Sequence, residues 1–418
     1  MSRLLREERD FRRVYISQLI SLGGDWFAVI PLLTLLPVLT GTGVWGALVL
    51  AADTIVFALL SPYAGAIVDR VDRRSLMIAC DLVSAAMVAL LLLVRSDETA
   101  WIALVAIGGV AAAKAFYTPA GSAAVPNLVP TADLATANAL SGAAWGTMLA
   151  VGAALGGLAA EVVGPYWCFG IDVASFLLSA VLTAMASTPF GEPREKRHTT
   201  VREDIRETVV YARADRRVIA LLTCKPGPAM GNGVLALFPL LGPQVFGVGG
   251  TGVGLLFAAR GLGALAGPFV MRRFVTRDEG NLWWVLAASV GSFGVAYLVF
   301  AVTPWFWAAL VLVTVAHMGG GANWVLSQYA LQLIVPDEIR GRVFSADFML
   351  ATLTLGLSQL VTGALSDVVD LRWLTFGLAA VVVAYSGAWF VATAQIRKPL
   401  PHVEPPDALA QPTHEGAP

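Results

Sequence analysis

Long apolar runs of similar length alternate with short, charge-dense connections along this chain. The runs predict spanning helices at about 14–38, 44–68, 75–94, 101–120, 138–160, 166–187, 218–246, 252–274, 282–301, 305–330, 343–366 and 372–394. Each is near the roughly 20 residues that cross about 30 Å of hydrocarbon. The most telling connection is GAIVDRVDRR, Gly65 to Arg74. Asp53 is the only charge in the run before it, Val44–Val68, and Asp81 the only one in the run after it, Ser75–Val94. So dense a cluster cannot lie in lipid and predicts a tight, water-facing turn at one face of a bilayer. The expected fold class is an all-α polytopic membrane protein with twelve transmembrane helices. Pro226 and Pro228 mark where that count is most exposed to a broken helix.

Composition agrees. Of 418 residues, 57% are hydrophobic and only 14% charged, with a mean hydropathy of +0.72, against about a quarter charged in soluble domains. A net charge of -1 offers no field to draw nucleic acid. Cys80, Cys168 and Cys224 are scattered, so neither a disulfide framework nor a metal site is expected. The opening MSRLLREERDFRR lacks an apolar core followed by a small-residue cleavage site, so no removable signal peptide is expected. Nearly all basic residues fall on one side of the predicted topology; only Arg95 and Arg372 fall on the other. Both termini and the central loop are therefore expected in the cytoplasm.

The loop Thr188–Arg217 divides the chain. It predicts an N-terminal bundle over 1–187, a linker over 188–217, a C-terminal bundle over 218–396 and a disordered, Pro-rich tail over 397–418. In the linker, Val201, Ile205, Val209 and Ala212 recur at helical spacing. That fits an amphipathic helix lying under the membrane or a solvated one. The halves echo each other. GTGV occurs at Gly41–Val44 and at Gly250–Val253; GGDWFAVIPLL from Gly23 is matched by MGNGVLALFPLL from Met230; LVPTADL from Leu128 is matched by IVPDEIR from Ile334. One shared offset, near 207 residues, argues for duplication. Two pseudo-symmetric six-helix bundles are the layout of transporters whose site lies between the halves and which work by alternating access.

Intramembrane charges supply the candidate site. Asp25 lies about eleven residues into the first helix, roughly 17 Å deep. A carboxylate there costs several kcal/mol unless paired, hydrated or protonated. It is a candidate proton carrier, a holder of cationic cargo, or a structural partner of Lys114. Its repeat mate, Asn232, is neutral. Asp53 and Arg260 are repeat mates at mid-depth, expected to face the interior. His317 is the one predicted intramembrane histidine, a proton relay or a packed neutral ring. Lys225 is expected to snorkel to the interface, and Asp172 and Glu161, nearer the far face, to be interfacial or structural. Gly152, Gly156 and Gly157, with Gly142 and Gly146, predict close helix packing. No HExxH, GxSxG or phosphate-cradling glycine loop is present, and an enzyme is not expected.

The loop Gly65, Asp69, Arg70, Arg73, Arg74 resembles the signature between helices two and three of the major facilitator superfamily, with Asp72 where a second Gly is usual. Gly152-Ala153-Ala154-Leu155-Gly156-Gly157 resembles the antiporter signature, with Ala153 in place of proline. YTPAGSAAVPNLVPTADLATANAL and IRGRVF resemble a branch that includes macrolide efflux pumps and siderophore exporters. The resemblance implies that Asp69 and Arg70 latch onto helix eleven, Arg70 through Asp347, and that Asp25 and Lys114 share a central cavity. It implies a monomeric transporter in a bacterial inner membrane that needs no cofactor and draws on the proton gradient. The expected function is export of amphipathic, drug-like molecules by proton antiport. The alternative is export or flipping of anionic cargo such as siderophores or lysophospholipids.

Overall fold

The computed structural model describes residues 2–68, 71–190, 201–275 and 281–396, and the described residues form helices without strands. The long helices are α1 (Arg9–Thr40), α2 (Val44–Val68), α3 (Arg73–Leu90), α4 (Trp101–Leu128), α5 (Leu134–Val162) and α6 (Pro165–Ala184). After a linker helix (Val201–Ala214) come an interrupted α7 and then α8 (Gly250–Val275), α9 (Leu282–Val302), α10 (Phe306–Ile334), α11 (Asp337–Leu365) and α12 (Leu371–Ala392). Eleven are long and apolar enough to cross a membrane. Local chemistry sets their ends. Gly41, at φ 70, closes α1 in the left-handed region. Gly164, at φ 84, precedes Pro165 at the first position of α6. Asp72 caps α3 by accepting from the Ser75 amide at 2.8 Å.

The seventh crossing is where the uniform pattern fails. It breaks into Arg216–Cys224, Pro226–Gly231, a 3-10 turn Asn232–Ala236, and Phe238–Val245. Pro226, Pro228, Pro239 and Pro243 each remove an amide donor. In lipid, freed backbone groups need partners from neighbouring helices, and α11 and α12 supply them. The Gly233 amide donates to Ser358 Oγ at 3.1 Å, and the Ser358 hydroxyl donates to the Met230 carbonyl. Tyr385 Oη reaches the Thr223 carbonyl at 2.6 Å, and Trp389 Nε1 the Ala220 carbonyl at 3.0 Å.

Helices α1–α6 pack as one bundle and α7–α12 as another, and the two meet along α2 with α11 and α5 with α8. Side chains facing outward are apolar, as lipid requires. Trp101, Trp167, Trp305, Trp307 and Trp373 stand exposed where α4, α6, α10 and α12 begin, all at the face opposite the termini. That ring of amphipathic indoles is an interfacial belt. At the terminal face, Asp10 Oδ2 accepts from the amides and hydroxyls of Ser187 and Thr188 at 2.8–2.9 Å, tying the start of α1 to the start of the linker. The linker helix does not lie free: Ala212 is buried and Tyr211 Oη donates to the Ile334 carbonyl at the end of α10.

Among the described residues the two faces differ in closure. At the opposite face each GTGV repeat is held by an acid from the other bundle. Asp367 accepts from the Thr42 hydroxyl and from the Gly43 amide at 3.1 Å, at the start of α2. Glu161 accepts from the Thr251 amide at 3.0 Å and its hydroxyl at 2.6 Å, at the start of α8. Carboxylates at helix N-termini are favoured by the macrodipole. Toward the terminal face, a cleft of about 280 Å³ separates Ala58, Ser61 and Pro62 of α2 from Gln328, Phe344, Ser345, Phe348 and Met349 of α10 and α11.

Candidate functional site

The charges that sequence places inside the membrane collect at two sites. In the first bundle, Lys114 Nζ on α4 lies 2.9 Å from Asp25 Oδ2 on α1. The aspartate side chain is 11% exposed and the lysine 28%, so the pair is largely buried, the lysine being its more accessible member. Lys114 also feels the charges of Asp53 on α2 and Asp172 on α6. One ammonium thus serves carboxylates from three other helices, and a site with more acids than bases can exchange protons or cations.

Asp53 and Arg260 are half-buried on α2 and α8, across the divide between bundles, within electrostatic reach of each other. A bond from the Thr54 hydroxyl to Gln359 Oε1 at 3.1 Å crosses the same divide one residue on. Arg260 also lies in the field of Tyr297 and His317. His317 is buried, and its Nε2 pairs with Tyr297 Oη at 3.0 Å, with Phe293 edge-on at 5.3 Å. Asn232 sits at the break in α7, its amide folded back onto the Pro228 carbonyl at 2.9 Å.

The second site lies within the C-terminal bundle. Lys225, at the break between the first two pieces of α7, is ion-paired with Asp347 on α11; their side chains are only 2% and 3% exposed. The ammonium also lies 4.8 Å from the centre of the Trp324 ring. This corrects the expectation that Lys225 snorkels to an interface: the helix break places its stem inside the bundle, where Asp347 neutralises it. Asp69 and Arg70 lie outside the described residues, and Gly65 is in the last turn of α2. Arg73 donates to the carbonyls of Ala123 in its own bundle and Phe190 in the linker at 3.1 and 3.0 Å, and Arg74 to the Ala184 carbonyl of its own bundle.

The glycines divide their work. A Cβ on Gly152 or Gly156 would strike Trp26 of α1, whereas one on Gly157 would strike the backbone of Gly250 and Gly254 of α8, across the bundle interface. Two further acids lie inside the first bundle. Asp172, expected near an interface, is fully buried, with Ser175 Oγ donating to its Oδ1 at 3.0 Å. Asp81, on α3, accepts from Ser179 Oγ at 2.7 Å. The overlooked signal was the polar series Asp172, Ser175, Ser179, Thr183, which recurs at helical spacing along an otherwise apolar run.

Comparison with known proteins bears on this geometry. The profile described as transmembrane secretion effector matches residues 5–409. Macrolide efflux protein A of Streptococcus pyogenes is 24% identical over 317 residues, covering 74% of this chain and 78% of that protein. The multidrug efflux pump Tap of Mycolicibacterium fortuitum is 26% identical over 351 residues, covering 79% and 83%. An auto-inhibited POT family peptide transporter shares the fold at a TM-score of 0.75, over 95% of this chain and 99% of its own, with 12% identity. Family profile, sequence relatives and fold coincide with the loop signature at Gly65–Arg74, and the chain belongs to the transmembrane secretion effector family of major facilitator superfamily transporters.

Proposed function

We propose that this protein exports amphipathic small molecules from a bacterial cell by alternating access, exchanging them for protons at the Asp25–Lys114 site. The observation that carries the reading is the shared ammonium: Lys114 holds Asp25 at 2.9 Å while Asp53 and Asp172 lie within its field. Protonation of one of these carboxylates changes how the lysine charge is shared among them, and the packing that depends on that sharing changes with it. Bound cationic cargo competes for the same group of carboxylates.

Direction and placement are part of the proposal. The excess of basic residues assigns the terminal face to the cytoplasm of the inner membrane. The clamps of Asp367 and Glu161 then lie outside, and the cleft beside α2 and α11 opens inward. Export is the direction named for macrolide efflux protein A and for Tap. The chain is proposed to act as a monomer, drawing on the proton gradient without a cofactor.

Proteoliposomes with an imposed pH gradient test this. Erythromycin, a macrolide base, is expected to be transported against its concentration gradient at the expense of the pH difference. Asp25→Asn is expected to cut that transport about tenfold or more, because it leaves the lysine charge without its partner in a low-dielectric site. Gradient-driven transport by Asp25→Asn at the wild-type rate would overturn the coupling role. Arg260 forms no ion pair among the described residues, which favours anionic cargo as the second reading. Transport of a catecholate siderophore, abolished by Arg260→Gln, would select it.

A further inference from the structure

Asp172 has no role in the pairing of Asp25 with Lys114, yet its surroundings are the most demanding of any acid in the first bundle. It is 0% exposed. Its Oδ1 accepts one hydrogen bond, from Ser175 Oγ at 3.0 Å, and its Oδ2 has no partner among the described residues. A buried carboxylate ion with a bare oxygen is costly, whereas a neutral carboxylic acid demands less. The placement is specific. A Cβ on Gly24 would lie 2.5 Å from Asp172 Oδ1, so the glycine preceding Asp25 is what lets α6 bring a second carboxyl beside the first.

The charges around it are unevenly shared. Asp25 on α1 has Lys114 of α4, Asp53 on α2 has the field of Arg260, and Asp81 on α3 has the Ser179 hydroxyl. Tyr117 of α4, Cys80 of α3 and Cys168 of α6 are further buried titratable groups on the helices packed here. Asp172 is left with Asp25 and Lys114 as its charged neighbours.

A second observation concerns access. Asp172, Ser175, Ser179 and Thr183 form one buried polar stripe down α6. Ser175 bonds Asp172, Ser179 bonds Asp81, and Thr183 Oγ1 meets Ser17 Oγ of α1 at 3.3 Å. The buried Tyr117 hydroxyl lies beside Ser17 and Ser179. The stripe ends one turn from Ser187 and Thr188, which bind Asp10 at the terminal face. Polar groups at membrane depth that join a buried acid to one face are the material of a proton path.

We infer that Asp172 is the carboxyl that holds the exchanged proton, that Asp25 is the carboxylate that holds Lys114, and that the hydroxyl stripe on α6 is the proton's route to the terminal face. This rests on the proton-exchange reading and specifies it. With Asp172 protonated, the trio Asp25, Lys114, Asp172 has zero net charge. When the proton leaves along the stripe to water, the trio carries one negative charge, with Lys114 shared between two carboxylates. A monovalent amphipathic cation restores neutrality. The cargo is thereby a lipophilic monocation, exchanged one for one with a proton.

The test is binding of tetraphenylphosphonium to the purified full-length protein in nanodiscs. Calorimetry in buffers of different ionisation enthalpy counts the protons released, at pH values from about 5.5 to 8.5. Wild-type protein is expected to bind more tightly as pH rises, by about tenfold per proton released per unit of pH, and to release close to one proton per cation below the midpoint of that profile. Asp172→Asn, shown to be folded by elution and melting profile, is expected to bind independently of pH and release none. Ser175→Ala, a milder change that deletes the one hydrogen bond Asp172 accepts, is expected to move the midpoint upward, because the ionised form loses its only donor. Proton release by folded Asp172→Asn with the wild-type profile, or an unmoved midpoint in Ser175→Ala, overturns the assignment of the proton to Asp172. Wild-type protein that binds no cation, or binds it without releasing a proton, overturns the exchange reading itself.

Discussion

Replacing Lys225 with methionine should destabilise the C-terminal bundle by about 3–5 kcal/mol, the usual cost of stranding one member of a buried ion pair. Lys225 and Asp347 are nearly sealed from solvent. Asp347 Oδ1 already has no hydrogen-bond partner among the described residues, so losing the ammonium leaves the carboxylate unsatisfied there. The pair also crosses the weakest point of the fold, the break between the first two pieces of α7, and joins it to α11. Thermal and denaturant unfolding in detergent measure the effect. The double variant Lys225→Met with Asp347→Leu should recover most of the loss, since an apolar pair of similar volume is often as stable as the buried ions it replaces. If Lys225→Met unfolds within about 1 kcal/mol of wild type, the pair is not the brace described here.

The second large effect is expected at the α5–α8 contact. A Cβ on Gly157 would lie 2.5 Å from the Gly250 carbonyl oxygen and 2.9 Å from Gly254 Cα, backbone that has no rotamer with which to yield. Gly157→Leu should therefore force the bundles apart at the face sealed by Glu161 and Asp367. An overpacking penalty of about 1–3 kcal/mol falls on the conformer closed at that face, which shifts a two-state population by roughly 5- to 150-fold. The readout is labelling of a cysteine placed at Thr42, on the background of the three native cysteines, which are all buried. The expected result is faster labelling and transport reduced by a similar factor. Unchanged labelling would show that the glycines only fill space. Asp367→Asn with Glu161→Gln should move labelling the same way by less, because those carboxylates are more exposed.

Much of the fold was legible because lipid permits few solutions: apolar runs of fixed length, charged turns and a repeated pattern. The interruption of α7 was foreshadowed by Pro226 and Pro228, since a ring without an amide proton breaks a helix in any environment. Asp25 and Lys114 could be named from depth, because burial of a charge is costly whatever surrounds it. For Asp172 the interfacial alternative fails, and the structural one stands. Its position along α6 suggested an interface, but which side of a helix faces a neighbour depends on the packing. Lys225 failed likewise: a lysine near a helix end snorkels when its stem faces lipid, and here the stem faces α11.

The sequence by itself determined that the chain is a helical membrane protein of duplicated halves, and which residues bring charge into the apolar layer. Those are properties of composition and spacing, and they hold before any helix meets another. Only tertiary structure decided which charges meet: Lys114 with Asp25, Lys225 with Asp347, and each GTGV repeat with an acid of the opposite bundle. Such pairings join residues far apart in the chain, and their energy depends on distance and on exclusion of water, which no one-dimensional pattern contains.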